Sequence, residues 1–342
     1  MGGAVAIRAA ATVRAGHPRA SPRRCRLSIP RQVPWRARQG PARAKARSLR
    51  AAAGPTDVFA IDVDGVLVDS EPEVTRAAIA AATEIWPETM AGADEGALRQ
   101  ALRRVRPVIV KGFEAVVQAR MLAEHPAPDT ETRILSRGAW AAVWREAVSA
   151  WGASAEHIDA VFGRIRDAEV AAGTYLEGQR AYPGVVGAMR ECPYPSYLVS
   201  SKSGKRVAAV LGGLVGMEGV EEGSPRVMAS LLPPEEKKVE ALRTIMSRPL
   251  IAEGGATLHF IDDRVDTLLH AAEVPALSDV KLYLAEWGYC TEGERELARA
   301  SPRIKVLDLE AFAELLKWGV VMGVDDGCEP TPEEVIKGVH DG

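Results

Sequence analysis

The 342-residue sequence has no apolar run that approaches the roughly 20 residues needed to span a bilayer, so a membrane protein is not expected. It has few cysteines, and no two of them stand at the C-x-x-C spacing typical of zinc sites. Neither a zinc pattern nor a disulfide framework is therefore indicated, and reduced thiols are expected. It also has no internal repeat. The four cysteines are Cys25, Cys192, Cys290 and Cys328.

Acidic residues are absent from the first 50 positions, which hold twelve arginines and Lys45; the first acid is Asp57. The rest of the chain therefore carries 30 basic residues against 46 acids. A basic segment rich in Ala, Pro and Ser that ends at small residues is typical of an organelle transit peptide. We predict one over residues 1–53, directed to the chloroplast stroma, with the mitochondrion as the alternative. A disordered basic arm is the competing interpretation, but the acidic remainder disfavours a nucleic-acid partner.

Short apolar segments alternate with helical patterns over residues 54–72 and 180–318, which predicts an α/β core with a parallel sheet covered on both faces. Its strands are expected at 58–61, 196–200, 257–261, 281–284 and 304–307. Residues 73–179 are almost wholly helical in pattern and predict an inserted helical domain. Its helices are expected at 74–85, 95–105, 113–122, 131–148 and 155–172. An acidic, loosely ordered tail is expected at 319–342.

Two carboxylates, Asp62 and Asp64, directly follow the first predicted strand and precede Gly65. Ligands of parallel sheets bind at the carboxyl ends of strands, so chemistry is expected here. One carboxylate can attack phosphorus, while the other protonates the leaving oxygen and later activates water. A capped strand end with solvated acids is the alternative. A calcium loop is disfavoured, because the rest of its ligand spacing is missing.

Residues 62–70, DVDGVLVDS, resemble the first motif of the haloacid dehalogenase superfamily in its DxDGxLxDS form. The resemblance implies that Asp62 is the nucleophile and Asp64 the general acid/base. It also implies that the Asp62 carboxylate and the Asp64 backbone carbonyl bind Mg²⁺. The fold implied is a Rossmann-like parallel sheet with an all-helical cap, matching the helical block at 73–179. Dehalogenases of this superfamily lack the second Asp, because a halide leaving group needs no proton.

Two later segments, residues 199–202 and the lysine pair at 237–238, resemble the second and third motifs of the superfamily. In the superfamily these motifs contact the phosphoryl group. The resemblance implies that the Ser200 hydroxyl hydrogen-bonds the phosphoryl oxygens and that Ser201 offers a backbone N–H. The third motif is a lysine ahead of a helix, for which Lys237 and Lys238 are both candidates. We favour Lys238, which starts the apolar period and would neutralise crowded carboxylates and phosphoryl oxygens. A plain strand-to-loop turn and a solvated helix start are the alternatives.

Two adjacent acids, Asp262 and Asp263, end the third predicted strand, as in the fourth motif of the superfamily. The resemblance implies that they complete a magnesium site, with Asp263 as a direct ligand. Asp262 would be a second ligand or a support for the ligands, and Asp266 is an alternative. Mg²⁺ prefers octahedral oxygen ligands and keeps several waters, so a few carboxylates suffice. Either acid could also cap the following helix.

Together these features predict a phosphoric monoester hydrolase acting on a small phosphorylated metabolite. The group it resembles contains phosphoglycolate-phosphatase-like and β-phosphoglucomutase-like proteins, in their plant and cyanobacterial form. Arg106 and Lys111 of the helical block are candidates for binding a second anionic group of the substrate; a basic surface helix end is the other interpretation. A phosphomutase is the alternative activity. A non-catalytic protein of the same fold is disfavoured, because neither Asp62 nor Asp64 is lost.

Overall fold

The computed structural model describes residues 56–321, except residues 137, 218 and 219. The predicted transit peptide and nearly all of the predicted acidic tail lie outside the described residues. None of the helices in the described part is both long and apolar enough to cross a membrane. The described residues form eight strands: β1 (Asp57–Ile61), β2 (Val68–Asp69), β3 (Arg180–Ala181), β4 (Ser196–Val199), β5 (Val227–Met228), β6 (Thr257–Asp262), β7 (Lys281–Ala285) and β8 (Ile304–Leu307).

The helices fall into two groups along the chain, separated by β3. Those before β3 are α1 (Glu71–Ile85), α2 (Pro87–Met90), α3 (Glu95–Val105), α4 (Glu114–Glu124), α5 (Pro128–Leu135), α6 (Trp140–Ala150) and α7 (Ala155–Ala172). Those after it are α8 (Val185–Glu191), α9 (Gly204–Val210), α10 (Pro234–Met246), α11 (Pro249–Ala252), α12 (Val265–Glu273), α13 (Glu292–Ala300) and α14 (Leu309–Trp318). The first group is the predicted inserted domain, called the cap domain below.

Six strands form one sheet in the order β5-β4-β1-β6-β7-β8, and every pair in it is parallel. This confirms the predicted α/β core. β1 lies in the middle, with β4 on one side and β6 on the other, so the chain moves from β1 towards both edges of the sheet. Such a topological switch point opens a crevice at the carboxyl ends of the strands, where ligands of open parallel sheets bind.

Side chains of β1 alternate between the two faces of the sheet, and all of them are buried. Phe59 and Ile61 belong to a core shared with α8, α9 and α14. Val58 and Ala60 belong to a second core shared with α10, α12 and α13. Burying a Val or Ile side chain stabilises the fold by roughly 1.5–3 kcal/mol. Two covered faces therefore explain why the strands are continuous apolar runs instead of alternating with polar residues.

The cap domain has a hydrophobic core of its own, in which α1 packs against α4 and α7. Small side chains on α1, such as Ala77 and Ala81, are fully buried and allow the helices to approach closely. An ion pair is buried in the same domain, with Arg166 Nε 2.6 Å from Glu73 Oε1. Burying a charge is costly unless it is paired, so this pair specifies how α1 and α7 are aligned.

The predicted single helix at 131–148 is wrong, because two helices, α5 and α6, occupy this stretch. The chain leaves α5 at Ser136, whose backbone is extended, and Gly138 adopts a left-handed conformation with φ of 73°. A residue with a side chain rarely adopts that conformation, and glycine commonly ends a helix for this reason. The apolar period continued across the break because Ile134 and Trp140 both face the cap core.

The chain leaves and re-enters the core through a short antiparallel ladder, in which Val68 pairs with Ala181 and Asp69 with Arg180. This ladder was not predicted, because two residues are too few to show a period. It lies close to the predicted boundaries of the cap domain at 73 and 179. The edge strand β5 and the helix α13 were also not predicted.

Candidate active site

The carboxyl ends of three neighbouring strands bring the predicted site residues to one edge of the sheet. Asp62 follows β1, Ser200 follows β4, and Asp262 ends β6, with Asp263 next in the chain. The backbone N–H of Asp62 donates to the Ile261 carbonyl at 3.0 Å, which extends the pairing of β1 with β6. As a result, carboxylate oxygens of Asp62, Asp262 and Asp263 all lie within 4.8 Å of one another.

Lys238 reaches this acidic cluster from α10. Its Nζ donates to Asp62 Oδ2 at 2.7 Å and to Asp262 Oδ2 at 2.6 Å, and its side chain is 1% exposed. Burial alone would lower the pKa of Lys238, but Asp262 and Asp62 outweigh burial and hold it above its usual range. Lys237 is exposed and pairs with Glu240 at 2.8 Å. Of the two lysine candidates, the geometry thus favours Lys238.

The crowding of buried acids changes their protonation. Burial raises the pKa of Asp62 to about 7; Lys238 opposes the shift, and Asp262 and Asp263 add to it. Burial, followed by the charge of Asp262, raises the pKa of Asp263 to about 6. Desolvation and like charges both disfavour ionisation, so an added cation would stabilise the ionised cluster.

The donor set of the cluster fits a hard divalent cation such as Mg²⁺, which binds carboxylate oxygens. Both oxygens of Asp262 already accept hydrogen bonds, from Lys238 Nζ and from the backbone N–H of Arg264 at 2.9 Å. Asp263 accepts one from the backbone N–H of Tyr289 at 2.7 Å, through Oδ2. Asp62 is bonded in the same way, because its Oδ1 accepts from the backbone N–H of Val63 at 2.7 Å and its Oδ2 from Lys238. Oδ1 of Asp263 accepts no hydrogen bond among the contacts described, so Asp263 is the acid best suited to hold the ion. Asp266 is exposed and does not belong to this cluster.

Gly65 allows the first motif to approach Asp263 closely. A Cβ atom at this position would overlap the Asp263 carboxylate, and the backbone φ of Gly65 is 79°, in the left-handed region. Only glycine meets both conditions without strain. Close packing against Asp263, in the fourth motif, therefore explains why position 65 of the first motif is a glycine.

Asp64, the predicted general acid/base, is paired with a buried lysine, Lys202. Lys202 Nζ lies 3.1 Å from Asp64 Oδ1 and donates to the Tyr175 hydroxyl at 2.8 Å. Burial alone would raise the pKa of Asp64, but Lys202 and its other neighbours hold it below the usual range. Ser200 is buried, and its hydroxyl accepts from the backbone N–H of Lys202 at 3.2 Å. Ser201, not Ser200, is among the described residues that line the cavity described next.

A cavity of about 90 Å³ lies between this edge of the sheet and the cap domain. Its charged lining residues from the core are Asp62, Asp64, Lys202, Lys238, Asp263 and Arg264. The cap domain contributes cationic and apolar lining residues: Arg106, Ile109, Val110 and Arg166. The predicted Arg106 therefore faces the cavity, and its guanidinium carbon lies 4.0 Å from the centre of the Tyr289 ring. Lys111 is exposed and is not among the described lining residues.

Sequence reasoning assigned no role to four residues that build the site: Lys202, Arg166, Tyr289 and Arg264. Lys202 directly follows the two predicted serines, so its position on a sheet-edge loop was a usable signal. Arg264 directly follows the paired acids, and its Nη1 donates to the Ile109 carbonyl of the cap domain at 2.8 Å. Residues 287–289, which end in Tyr289, resemble a segment that follows a late strand in the superfamily, but the resemblance implies no role for Tyr289. Arg166 reaches the site only through tertiary contacts, which no local pattern indicates.

No protein-family model matches the sequence, and no curated protein matches it significantly. Solved structures that match include a predicted phosphoglycolate phosphatase from Haemophilus somnus, at 16% identity and a TM-score of 0.45, covering 76% of this chain and 96% of that one. A predicted phosphatase from Clostridium acetobutylicum matches at 12% identity and a TM-score of 0.44, covering 76% and 97%.

A third match is a haloacid dehalogenase-like hydrolase from Streptococcus pneumoniae, at 14% identity and a TM-score of 0.42, covering 73% and 93%. Scores of this size do not assign a function. The parallel sheet, the place of the helical insertion and the four converging segments agree with what the resemblance to the haloacid dehalogenase superfamily implies.

Proposed function

We propose that this protein is a magnesium-dependent phosphatase that hydrolyses a small phosphorylated metabolite through an aspartyl phosphate on Asp62. The observation that carries the proposal is the convergence of Asp62, Asp263 and Lys238 in one buried cleft at the carboxyl edge of the sheet. A carboxylate nucleophile beside an ammonium group and a cation-binding acid is suited to phosphoryl transfer, which depends on positioning and on neutralising charge.

In the first step, an Asp62 oxygen attacks phosphorus, and the bond from phosphorus to the substrate alcohol breaks. The nucleophile must be ionised, and the Lys238 ammonium at 2.7 Å favours the ionised form. Asp64, in its protonated form, gives a proton to the departing alcohol oxygen, which leaves as a neutral alcohol, and the nearby Lys202 ammonium favours the carboxylate that results. Mg²⁺ held by Asp62, Asp263 and the backbone carbonyl of Asp64 would neutralise the phosphoryl oxygens.

In the second step, Asp64 removes a proton from a water molecule, and the resulting hydroxide attacks the phosphorus of the aspartyl phosphate. Inorganic phosphate leaves, and Asp62 regains its carboxylate. Lys202 at 3.1 Å from Asp64 supports this half of the cycle, because a neighbouring ammonium favours the carboxylate form of Asp64.

The small space that the cap domain leaves over the cleft favours a small substrate. It covers the cleft with Ile109, Val110 and Arg106, and the cavity that remains is about 90 Å³. Cap residues over the cleft reduce the access of bulk water to the reacting groups and strengthen the electrostatic interactions beneath them. The Arg106 guanidinium, which lines the cavity, would bind a second anionic group of the substrate, as expected from the sequence.

We also propose that residues 1–53 direct the chain to the chloroplast, with the mitochondrion as the alternative. The support is compositional: twelve arginines and no acids within the first 50 residues. Fusion of these residues to a fluorescent protein and imaging in plant cells tests the proposal. Diffuse cytosolic fluorescence would rule it out.

The phosphatase proposal is tested with protein that begins near residue 52, assayed on an aryl phosphate and then on a panel of small phosphorylated metabolites. We expect turnover that EDTA abolishes and Mg²⁺ restores. Asp62→Asn keeps the size of the side chain and removes the nucleophile, so turnover should fall by at least about a thousandfold with the melting temperature preserved. Unchanged turnover in this variant would exclude Asp62 as the nucleophile.

A further inference from the structure

We propose that Tyr289 is a positioning residue that couples the cation-binding carboxylate of Asp263 to the hinge of the cap domain. The proposal goes beyond the proposed phosphatase activity and relies on it only for its kinetic test. Tyr289 belongs to the core, directly after Gly288, whereas the hinge is the point where the chain passes from β2 into α1.

The phenol of Tyr289 caps the first helix of the cap domain from outside. Its oxygen accepts from the backbone N–H of Ser70 at 2.7 Å and from that of Glu71 at 2.9 Å. Its hydrogen is donated to Asp69 Oδ1 at 2.9 Å. A hydroxyl has one donor and two acceptor sites, so these three bonds use its full capacity.

The helix itself lacks the usual local solution for its free N–H groups. Ser70 is the N-cap residue of α1, but its side chain makes no capping hydrogen bond. A serine in this position ordinarily accepts from an N–H of the first turn. Here the N–H of Glu71 is shared between Asp69 Oδ1, at 3.2 Å, and the Tyr289 phenol, 218 residues away in the sequence. The start of the cap domain is thus held by the core together with Asp69.

The backbone of Tyr289 is bonded to the cation site. Its N–H donates to Asp263 Oδ2 at 2.7 Å. The preceding Gly288 packs so closely that a Cβ atom there would overlap Asp263 and the Gly65 carbonyl. A shift of Asp263 must therefore move Tyr289, and with it the phenol that caps α1.

A contact from the cap side completes the connection. Arg106 lies at the end of α3, and its guanidinium stacks over the Tyr289 ring, with its central carbon 4.0 Å from the ring centre. The cap domain thus contacts Tyr289 through the hinge amides and through Arg106, whereas the acidic cluster contacts it through the backbone. If an ion held by Asp263 favours one position of Tyr289, it favours one position of the cap domain, and the coupling is reciprocal.

Tyr289→Phe tests the proposal, because it removes the hydroxyl and keeps the ring, the Arg106 contact and the backbone N–H. Tyr283→Phe is the matched control. Tyr283 is also buried, and its hydroxyl bonds only to His259 Nδ1, at 3.1 Å, among the contacts described, away from the hinge. Both variants are expected to unfold cooperatively. Asp69→Asn provides a second test, because it weakens the acceptor for the phenol without changing Tyr289. Asp69 Oδ1 also accepts from the Glu71 N–H, so this variant is judged on the Ser70 amide.

Hydrogen–deuterium exchange of a peptide spanning residues 68–75 is measured with Mg²⁺ and with EDTA. In the wild type and in Tyr283→Phe, Mg²⁺ should slow exchange of the Ser70 and Glu71 amides. In Tyr289→Phe, these amides should exchange about tenfold faster, as expected for loss of one hydrogen bond, and Mg²⁺ should no longer slow them. Asp69→Asn should show an intermediate change at the Ser70 amide.

The kinetic test uses an aryl phosphate, because the rate of its hydrolysis does not depend on specific contacts between the protein and the leaving group. Tyr289→Phe should lower kcat about tenfold and leave KM within about twofold, because the ring that lines the cavity is kept and only the hydroxyl bonded to the hinge is lost. Tyr283→Phe should keep both values.

Equal hinge exchange in the two variants, or a Mg²⁺ effect in Tyr289→Phe as large as in the wild type, would overturn the proposal. The exchange experiment needs no substrate. A wild-type protein that hydrolyses no small phosphate but shows Mg²⁺-dependent protection at the hinge would therefore refute the phosphatase and retain the coupling.

Discussion

Lys202 and Asp64 form a buried ion pair, with Lys202 Nζ 3.1 Å from Asp64 Oδ1. The pair begins a chain of contacts that runs into the cap domain. The Tyr175 hydroxyl accepts from Lys202 at 2.8 Å and from Arg166 Nη2 at 3.2 Å, and Arg166 pairs with Glu73. The proposed general acid/base is thus linked to two cap helices through side chains alone.

Replacing Lys202 by Met should move the pH profile of kcat to higher pH. Lys202 holds the pKa of Asp64 below its usual range against the effect of burial, so without the ammonium the pKa rises. Asp64 acts as both acid and base, so both limbs of the profile move in the same direction. Turnover measured across pH on an aryl phosphate checks this. Lys205→Met, at an exposed position on the same helix-start segment, should leave the profile in place; a shift of equal size there would contradict the assignment.

Replacing Lys238 by Met should lower kcat/KM by about a hundredfold or more, the size typical of losing a preorganised charge-stabilising group. It should also lower the free energy of unfolding of the metal-free protein by about 3 kcal/mol, because buried carboxylates lose their counter-charge. Lys237→Met is the matched control, since Lys237 is exposed and pairs only with Glu240 in the contacts described. Equal losses of kcat/KM in both variants would contradict the assignment of Lys238 as the lysine of α10 that faces the acidic cluster.

Stabilisation by Mg²⁺ should grow with pH. Burial raises the pKa of Asp62 to about 7 and that of Asp263 to about 6. Groups with raised folded-state pKa stabilise the metal-free protein at low pH and lose that contribution as pH rises through these values. Mg²⁺ competes with these protons, so the rise in melting temperature on adding Mg²⁺ should be small near about pH 5 and large near about pH 8. A pH-independent rise would be evidence against binding by these acids, and Asp263→Asn should reduce it.

Replacing Gly288 by Ala should weaken Mg²⁺ binding and lower activity, because the new Cβ atom would overlap Asp263 and the Gly65 carbonyl. The free energy of unfolding should fall by about 1–3 kcal/mol, as for other overpacked sites. Gly293→Ala is the control, since a Cβ atom there meets no atom within 4 Å. Because Gly293 lies inside α13, alanine there should stabilise the protein by roughly 0.5–1 kcal/mol. Calorimetric titration with Mg²⁺ and thermal unfolding distinguish the two variants.

Several site residues predicted from the sequence directly follow or end strands. Asp62, Ser200 and Asp262 could be predicted together, because the carboxyl ends of parallel strands meet at one edge. The sequence could only favour Lys238 over Lys237 and not decide between them. The two lysines are adjacent on a helix, and a shift of one position changes which ammonium is buried. The sequence pattern also missed the break at Gly138, although a glycine inside a helical period is a usable signal.

Residues that act across the core and the cap domain were beyond prediction from local patterns. Tyr289 contacts the amide of Ser70 from 219 positions away, and Arg166 reaches the cavity through the packing of α7 on α1. Neither residue stands in a pattern that distinguishes it from an ordinary buried aromatic or a paired surface charge. Their roles depend on the angle at which the cap domain meets the core. The hydrophobic period and the composition of the sequence do not predict that angle.

The ladder between β2 and β3 places the two ends of the helical insertion side by side, with Asp69 opposite Arg180. A tight turn between these two residues would therefore close an ordinary hairpin and leave the six-stranded sheet unbroken. In such a shortened chain, the catalytic edge would be open to molecules as large as another protein. The upper size limit of the substrate is thus a property of the helical insertion between β2 and β3. Exchange of this insertion during evolution would change that limit and leave the chemistry the same.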